Sequence, residues 1–213
     1  HGVSQEIIDT IRDVPTDCKY LDMAIEHADD GVLARMNRIV DRRRLLDVIE
    51  QLRRQVPGIA LRTSIIVGFP GETDEAFENL LSFVQQVQFD RLGAFRYSHE
   101  EGSASFRYPD QVPAPVAQAR FDRLMGLQQE IAAQVNQRWL GQTLDVLIDE
   151  RDPDDAALWL GRSYADCPEV DGVVYVHPAP GGVNSPVAPA PGQMVRARIT
   201  DTYEYDLVAD LVP

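Results

Sequence analysis

The chain has 213 residues, 44% of them hydrophobic and 25% charged, with a formal net charge of -14. That is enough apolar material for a real core, and no apolar run approaches the ~20 residues of a membrane-crossing helix, so no membrane partner is expected. Two cysteines in this length exclude a disulfide-stapled secreted fold and predict a cytoplasmic protein.

Up to residue 140, helical and extended patterns alternate. Ser4 caps a short helix through Ile7, Ile8 and Ile11 that ends before Pro15. Tyr20 to Ile25 reads as a strand, and Asp29 opens a helix over Leu33 and Met36. Asp41 caps a longer helix in which Leu45, Leu46, Ile49, Leu52 and Val56 form one apolar stripe. Arg42, Arg43, Arg44, Arg53 and Arg54 are then mostly its solvated side, a reading preferred to an RNA patch. Pro57-Gly58 stops this helix, and Ile59 to Val67 forms the next strand. A helix from Thr73 turns Phe77, Leu80, Leu81 and Val84 inward, and Leu92 to Tyr97 returns as a strand. A long helix follows Pro113, with Val116, Leu124, Ile131 and Val135 at helical spacing. This βαβα order predicts a parallel sheet.

After Gly141 the period changes to two. Leu144, Val146 and Ile148 alternate with their neighbours, and Val195 and Ile199 lie in a strand that also presents Arg196 and Arg198. Tyr203, Tyr205, Leu207, Ala209 and Leu211 share one face of a final strand, and Asp171-Gly172 signals a hairpin. The stretch Pro178 to Gly192 reads as an exposed loop. Short strands spaced by turns predict a small antiparallel barrel, and hence two domains, 1–140 and 141–213. The second is the more acidic, with 13 acidic and 4 basic side chains, a net of -9 against -5 for the first. Such a field repels a phosphate backbone and attracts a basic protein. Asp166, Glu169 and Asp171, on a predicted exposed turn, are the candidate contacts for such a partner; the bland alternative is that acidic surfaces keep proteins soluble.

The densest signal is Arg62-Thr63-Ser64-Ile65-Ile66-Val67-Gly68-Phe69-Pro70-Gly71-Glu72-Thr73. An unbroken apolar run reads as a strand buried on both faces, and Thr73 with Asp74 and Glu75 reads as a helix N-terminus. The glycines between them let a backbone approach a ligand at the carboxyl end of a strand; a plain βα turn is the other reading.

Ile66 to Thr73 resembles the fifth-strand motif of radical S-adenosylmethionine enzymes, in the form used by methylthiotransferases. Lys19-Tyr20-Leu21-Asp22 leading to His27, then Val32 to Arg38, resembles the fourth strand and its helix, and Tyr97 to Ser103 resembles the loop after the sixth. Gly161-Arg162-Ser163-Tyr164-Ala165-Asp166, with Pro168 to Gly172, looks like the appended TRAM domain of the RimO-type enzymes. The resemblance implies an α/β chain, half of a TIM-like radical SAM barrel followed by an OB-like TRAM barrel. It implies an enzyme that adds a methylthio group to an aspartate of a small-subunit ribosomal protein. It also implies S-adenosylmethionine as cofactor, with Gly68, Phe69, Pro70 and Gly71 packing on it and Arg62 and Ser64 reaching its carboxylate or ribose. Phe95 and Tyr97 flank its adenine or are plain core aromatics. At Glu26 the family usually has glutamine, in Pro-Leu-Gln-His, where this chain has Ala24-Ile25-Glu26-His27; His27 reads as a structural histidine.

Enzymes of that family hold a [4Fe-4S] cluster on a CxxxCxxC run. This chain has only Cys18 and Cys167, each read as a small buried hydrophobe or an incidental surface thiol, so no metal ligand is expected here. The expectation is therefore the C-terminal part of a longer enzyme, inactive by itself and without a catalytic residue of its own. A tRNA-modifying methylthiotransferase is the first alternative, against which stand Glu100-Glu101-Gly102 and the acidic β domain. A non-catalytic protein- or RNA-binding module is the second.

Overall fold

The computed structural model describes residues 2–178 and 189–212, so most of the predicted Pro/Gly-rich loop, 179–188, lies outside the described residues. The chain divides into two compact units, 1–131 and 132–213.

In the first unit, α1 (Gln5–Asp13), α2 (Asp30–Arg35), α3 (Arg42–Gln55) and α4 (Asp74–Val87) alternate with three strands, β1 (Tyr20–Glu26), β2 (Ala60–Val67) and β3 (Arg91–Arg96). The strands form one parallel sheet in the order β1-β2-β3. Helix starts are set by side-chain caps: Ser4, Asp29, Asp41 and Thr73 each accept an amide proton of the first turn. Along β2, Leu61, Thr63, Ile65 and Val67 are completely buried, whereas Ser64 and Ile66 keep some exposure. Of the predicted inward residues of α4, Phe77, Leu80 and Val84 are buried, joined by Ala76, Phe83 and Val87, while Leu81 sits at the margin. Helices α3 and α4 are tied by Arg42, which donates to the Asn79 carbonyl at 2.6 Å, and by Arg53, which donates to the Gln88 carbonyl at 2.8 Å. The arginines of α3 are thus partly used in helix packing. Helix α5 (Ala114–Asn136) buries Leu124, Gln128 and Ile131. The Gln128 amide donates to the Phe89 carbonyl at 3.0 Å.

In the second unit, β4 (Thr143–Arg151), β5 (Trp159–Arg162), β6 (Val174–His177), β7 (Met194–Thr202) and β8 (Leu207–Leu211) close a barrel in the order β4-β5-β6-β8-β7. Leu144, Val146, Ile148, Val174, Val176, Ala197, Ile199, Leu207 and Ala209 fill its interior, the alternation that a half-buried strand requires. Three expectations are corrected here. The barrel is mixed, because β6 and β8 run parallel. The last strand begins at Leu207, and Tyr203, exposed, belongs with Tyr205 to the β7–β8 connection. Asp171-Gly172 is not a two-residue hairpin turn. The Asp171 carboxylate accepts the Cys167 amide at 2.8 Å, and Val173 is bonded to Asp206 and Leu207 instead of to a returning strand. Gly172 lies so close to the Tyr205 carbonyl that a Cβ there would stand 2.0 Å from its oxygen.

Candidate functional site

The loop from Gly68 to Glu72 leaves β2 at its carboxyl end and enters α4. Gly68 has φ +78°, a conformation that favours glycine, and a Cβ there would stand 2.6 Å from the Ala117 Cβ of α5. Its amide donates to Glu72 Oε2 at 2.7 Å, folding the loop back on itself. The Glu72 side chain is fully buried, and Arg120 of α5 compensates its charge. The guanidinium donates to Glu72 Oε1 at 3.0 Å, to the Glu72 carbonyl at 2.9 Å and to Asp74 Oδ1 at 2.7 Å. On the other flank, Arg35 Nε of α2 donates to the Pro70 carbonyl at 2.9 Å, and the Gly71 amide donates to the Asp110 carbonyl at 2.9 Å. Arg35 fills the space beside Gly71, where a Cβ would meet its guanidinium at 2.5 Å.

Beside this loop lies an open cleft of about 660 Å³, at the carboxyl ends of β2 and β3 and the start of α5. Gly68, Phe95, Tyr97, Gln111, Ala117 and Phe121 are among its walls. Phe95 is 56% exposed, so the plain-core reading does not hold for it. Tyr97 is half-buried, and its hydroxyl donates to Ser105 Oγ at 2.9 Å.

The expected cofactor residues therefore fall into groups. Gly68, Phe95 and Tyr97 meet at the cleft. Arg62 and Ser64 alternate with the fully buried residues of β2, and register sets Ser64 beside Gly93 and Ile66 beside Phe95. Arg62 donates to Asp22 Oδ2 at 2.6 Å, a partner its pattern did not announce. Phe69 is buried with Val32 and Ala76, its ring edge-on to Tyr97 at 5.2 Å and to Tyr108 at 6.2 Å. Phe69 therefore supports the loop from beneath, while Pro70 and Gly71 are held by Arg35. Glu26, at φ +69° on the last residue of β1, pairs with Arg38.

Sequence reasoning missed Arg35, Glu72 and Arg120. Glu72 stood inside the motif, but Arg120 is 48 residues away on a helix whose pattern gave it no special place. Below the loop, Asp29 caps α2. Burial opposes its charge, but hydrogen bonds from Asn79 and from the Val32 and Gly31 amides together hold its carboxyl below the usual range.

In the barrel unit the predicted contact triplet separates. Asp166 is buried, its carboxylate accepting the Ser163 amide at 3.1 Å and the Ser163 hydroxyl at 2.6 Å. Asp171 is half-buried in the same turn, and only Glu169, at φ +64°, is exposed. The expectation of three exposed carboxylates is corrected to one, because a short turn recruits its own acids to satisfy its amides. Exposed acids are instead found at Asp145, Asp149, Glu150, Asp154 and Asp155, of which Asp149 pairs with Arg162.

Both units match known families. The radical SAM superfamily profile matches residues 1–84, and the TRAM domain profile matches residues 140–212. A relative from Desulfitobacterium hafniense, named ribosomal protein uS12 methylthiotransferase RimO, is 46% identical over 209 residues, covering 98% of this chain and 45% of its own length. Proteins of the same name from Synechococcus sp. and Geotalea uraniireducens are 44% and 43% identical. They cover 99% and 100% of this chain and 44% and 46% of their own lengths. The chain spans about half the length of the relatives it matches. Two family matches in one order, and identity above 40% along the whole chain, lead to one conclusion: the chain joins part of a radical SAM core to a TRAM domain and is similar from end to end to the proteins named RimO.

Proposed function

We propose that this chain is the C-terminal part of a cytoplasmic methylthiotransferase that modifies an aspartate of the small-subunit ribosomal protein uS12. One observation carries the reading: relatives named for that activity align with the chain from one end to the other, through both units. S-adenosylmethionine, when bound, supplies a methyl group and a source of radical chemistry. The cleft suits a ligand of that size, since pockets of about 300–1,000 Å³ hold such molecules. Gly68, Phe95 and Tyr97 would form its wall, whereas Ser64 and Arg62, the latter held by Asp22, are not among the residues that line it. An iron–sulfur cluster does not fit the residues present. Cys18 is exposed on the first unit and Cys167 is half-buried on the second. Among the described residues no group of three or more His, Cys, Asp or Glu side chains could hold a metal ion.

The acidic second unit supports a basic protein as partner over a nucleic acid. Neutralising the exposed Glu169, Asp154 and Asp155 together is expected to slow association with the ribosomal protein and to weaken its salt dependence. Replacing Asp166 instead should damage the turn that it closes.

The test is made on the complete protein that carries this chain, reconstituted anaerobically with iron and sulfide. It is offered S-adenosylmethionine with the ribosomal protein or with tRNA. One methylthio group on an aspartate-containing peptide is the expected product. Methylthiolated tRNA would assign the activity to the tRNA-modifying relatives, and no product from a cluster-loaded protein would leave a binding module.

A further inference from the structure

His27 follows the last residue of β1 and is completely buried. Its Nδ1 accepts the Asp29 amide at 3.0 Å. A ring nitrogen that accepts carries no proton, so the neutral ring bears its hydrogen on Nε2. That atom is buried and makes no hydrogen bond, and the acid it faces is Glu72, whose Oε2 stands 3.7 Å away. Glu72 Oε2 already accepts the Gly68 amide, and a carboxylate oxygen has a second lone pair to offer. The other oxygen, Oε1, is taken by Arg120. One carboxylate is thus approached from the end of β1, from the end of β2 and from α5.

We propose that His27, through its Nε2–H, and Arg120 are the positioning residues of the Gly68–Glu72 loop, acting together on Glu72 to fix the Gly68 amide. A buried donor without an acceptor is costly, whereas a small closure of the His27–Glu72 gap satisfies it. Arg120 fixes one edge of the carboxylate and His27 the other, so the oxygen that holds Gly68 is set from both sides. The competing role for His27 is to support the start of α2 through Asp29. The two roles use different ring nitrogens and are separable. The consequence for cofactor binding rests on the reading that this loop lines the S-adenosylmethionine site.

The experiment uses His27→Asn and His27→Gln. Asparagine keeps an acceptor in the place of Nδ1 and loses the donor at Nε2; glutamine does the reverse. Amide hydrogen exchange at Gly68, read by NMR in this chain, reports the loop without any cofactor. His27→Asn is expected to exchange about tenfold faster at Gly68, the factor that corresponds to one hydrogen bond of about 1.4 kcal/mol, and His27→Gln to stay near the parent. The opposite order, or no change in either variant, would overturn the proposal. The parent chain gives a test that needs no variant to fold: nitrogen shifts of the His27 ring that report an Nδ1–H tautomer would overturn it as well. Equilibrium binding of S-adenosylmethionine to the complete protein then separates the two readings. Faster exchange with weaker binding in His27→Asn supports both. Faster exchange with unchanged affinity keeps the positioning role and removes the loop from the cofactor site.

Discussion

Arg120 donates three hydrogen bonds to the last residue of one loop and the first of α4, and its partner Glu72 has no exposure to share its charge with water. Arg120→Leu therefore strands a buried carboxylate, and a loss of about 3–5 kcal/mol is expected in urea unfolding. Adding Glu72→Leu should recover part of that loss, since removing both charges is milder than removing one; a further loss of equal size would show that the pair is not coupled. Asp29 makes a pH-dependent contribution. Its carboxyl is held below the ordinary value, so its stabilisation is complete above about pH 4 and is lost as pH falls through its lowered value. Asp29→Asn should be less stable than the parent by a constant amount at neutral pH, with the gap closing in acid. A gap that widens on acidification would contradict this. Residue-level roles were the least legible in the sequence. Asp166 looked like a surface acid because it falls in a predicted exposed turn, yet that turn consumes it.

Elements were far more legible, because their determinants are local. Thr73 accepts the Ala76 amide at 3.1 Å, and Thr73→Ala should cost about 1 kcal/mol in thermal or urea melts, as loss of an N-cap does. Gly68→Val would fill the space that a ligand beside this loop needs. The structure gives it two folding costs, a positive φ and the contact with Ala117, so that substitution is expected to lower the melting temperature in its own right. The β7–β8 connection shows where pattern reading ends. Tyr203 and Tyr205 continue the period of β8 on paper, but the Tyr203 amide donates to the Asp206 carbonyl at 2.9 Å and turns the chain before the strand begins. A single backbone bond outweighs alternation that has no sheet to meet.

At the scale of the molecule, two thiols on different units predict the behaviour of this chain alone. Anaerobic reconstitution with iron and sulfide should leave it without stoichiometric iron or a charge-transfer band, measured by iron content and visible absorption. An iron centre lost on mutating Cys18 would refute this. The sequence by itself determined the helices and their caps, the strands of the parallel sheet and the change to short strands after Gly141, because periodicity and capping act within a few residues. It also carried the family resemblance, which rests on contiguous motifs. The tertiary structure alone decided that β6 and β8 pair in parallel, that Phe69 faces a cluster while Phe95 faces a cleft, and that Arg62 is paired with Asp22. Strand partners, burial and ion pairs join residues tens of positions apart, and no local pattern specifies which distant group fills the space beside a given side chain.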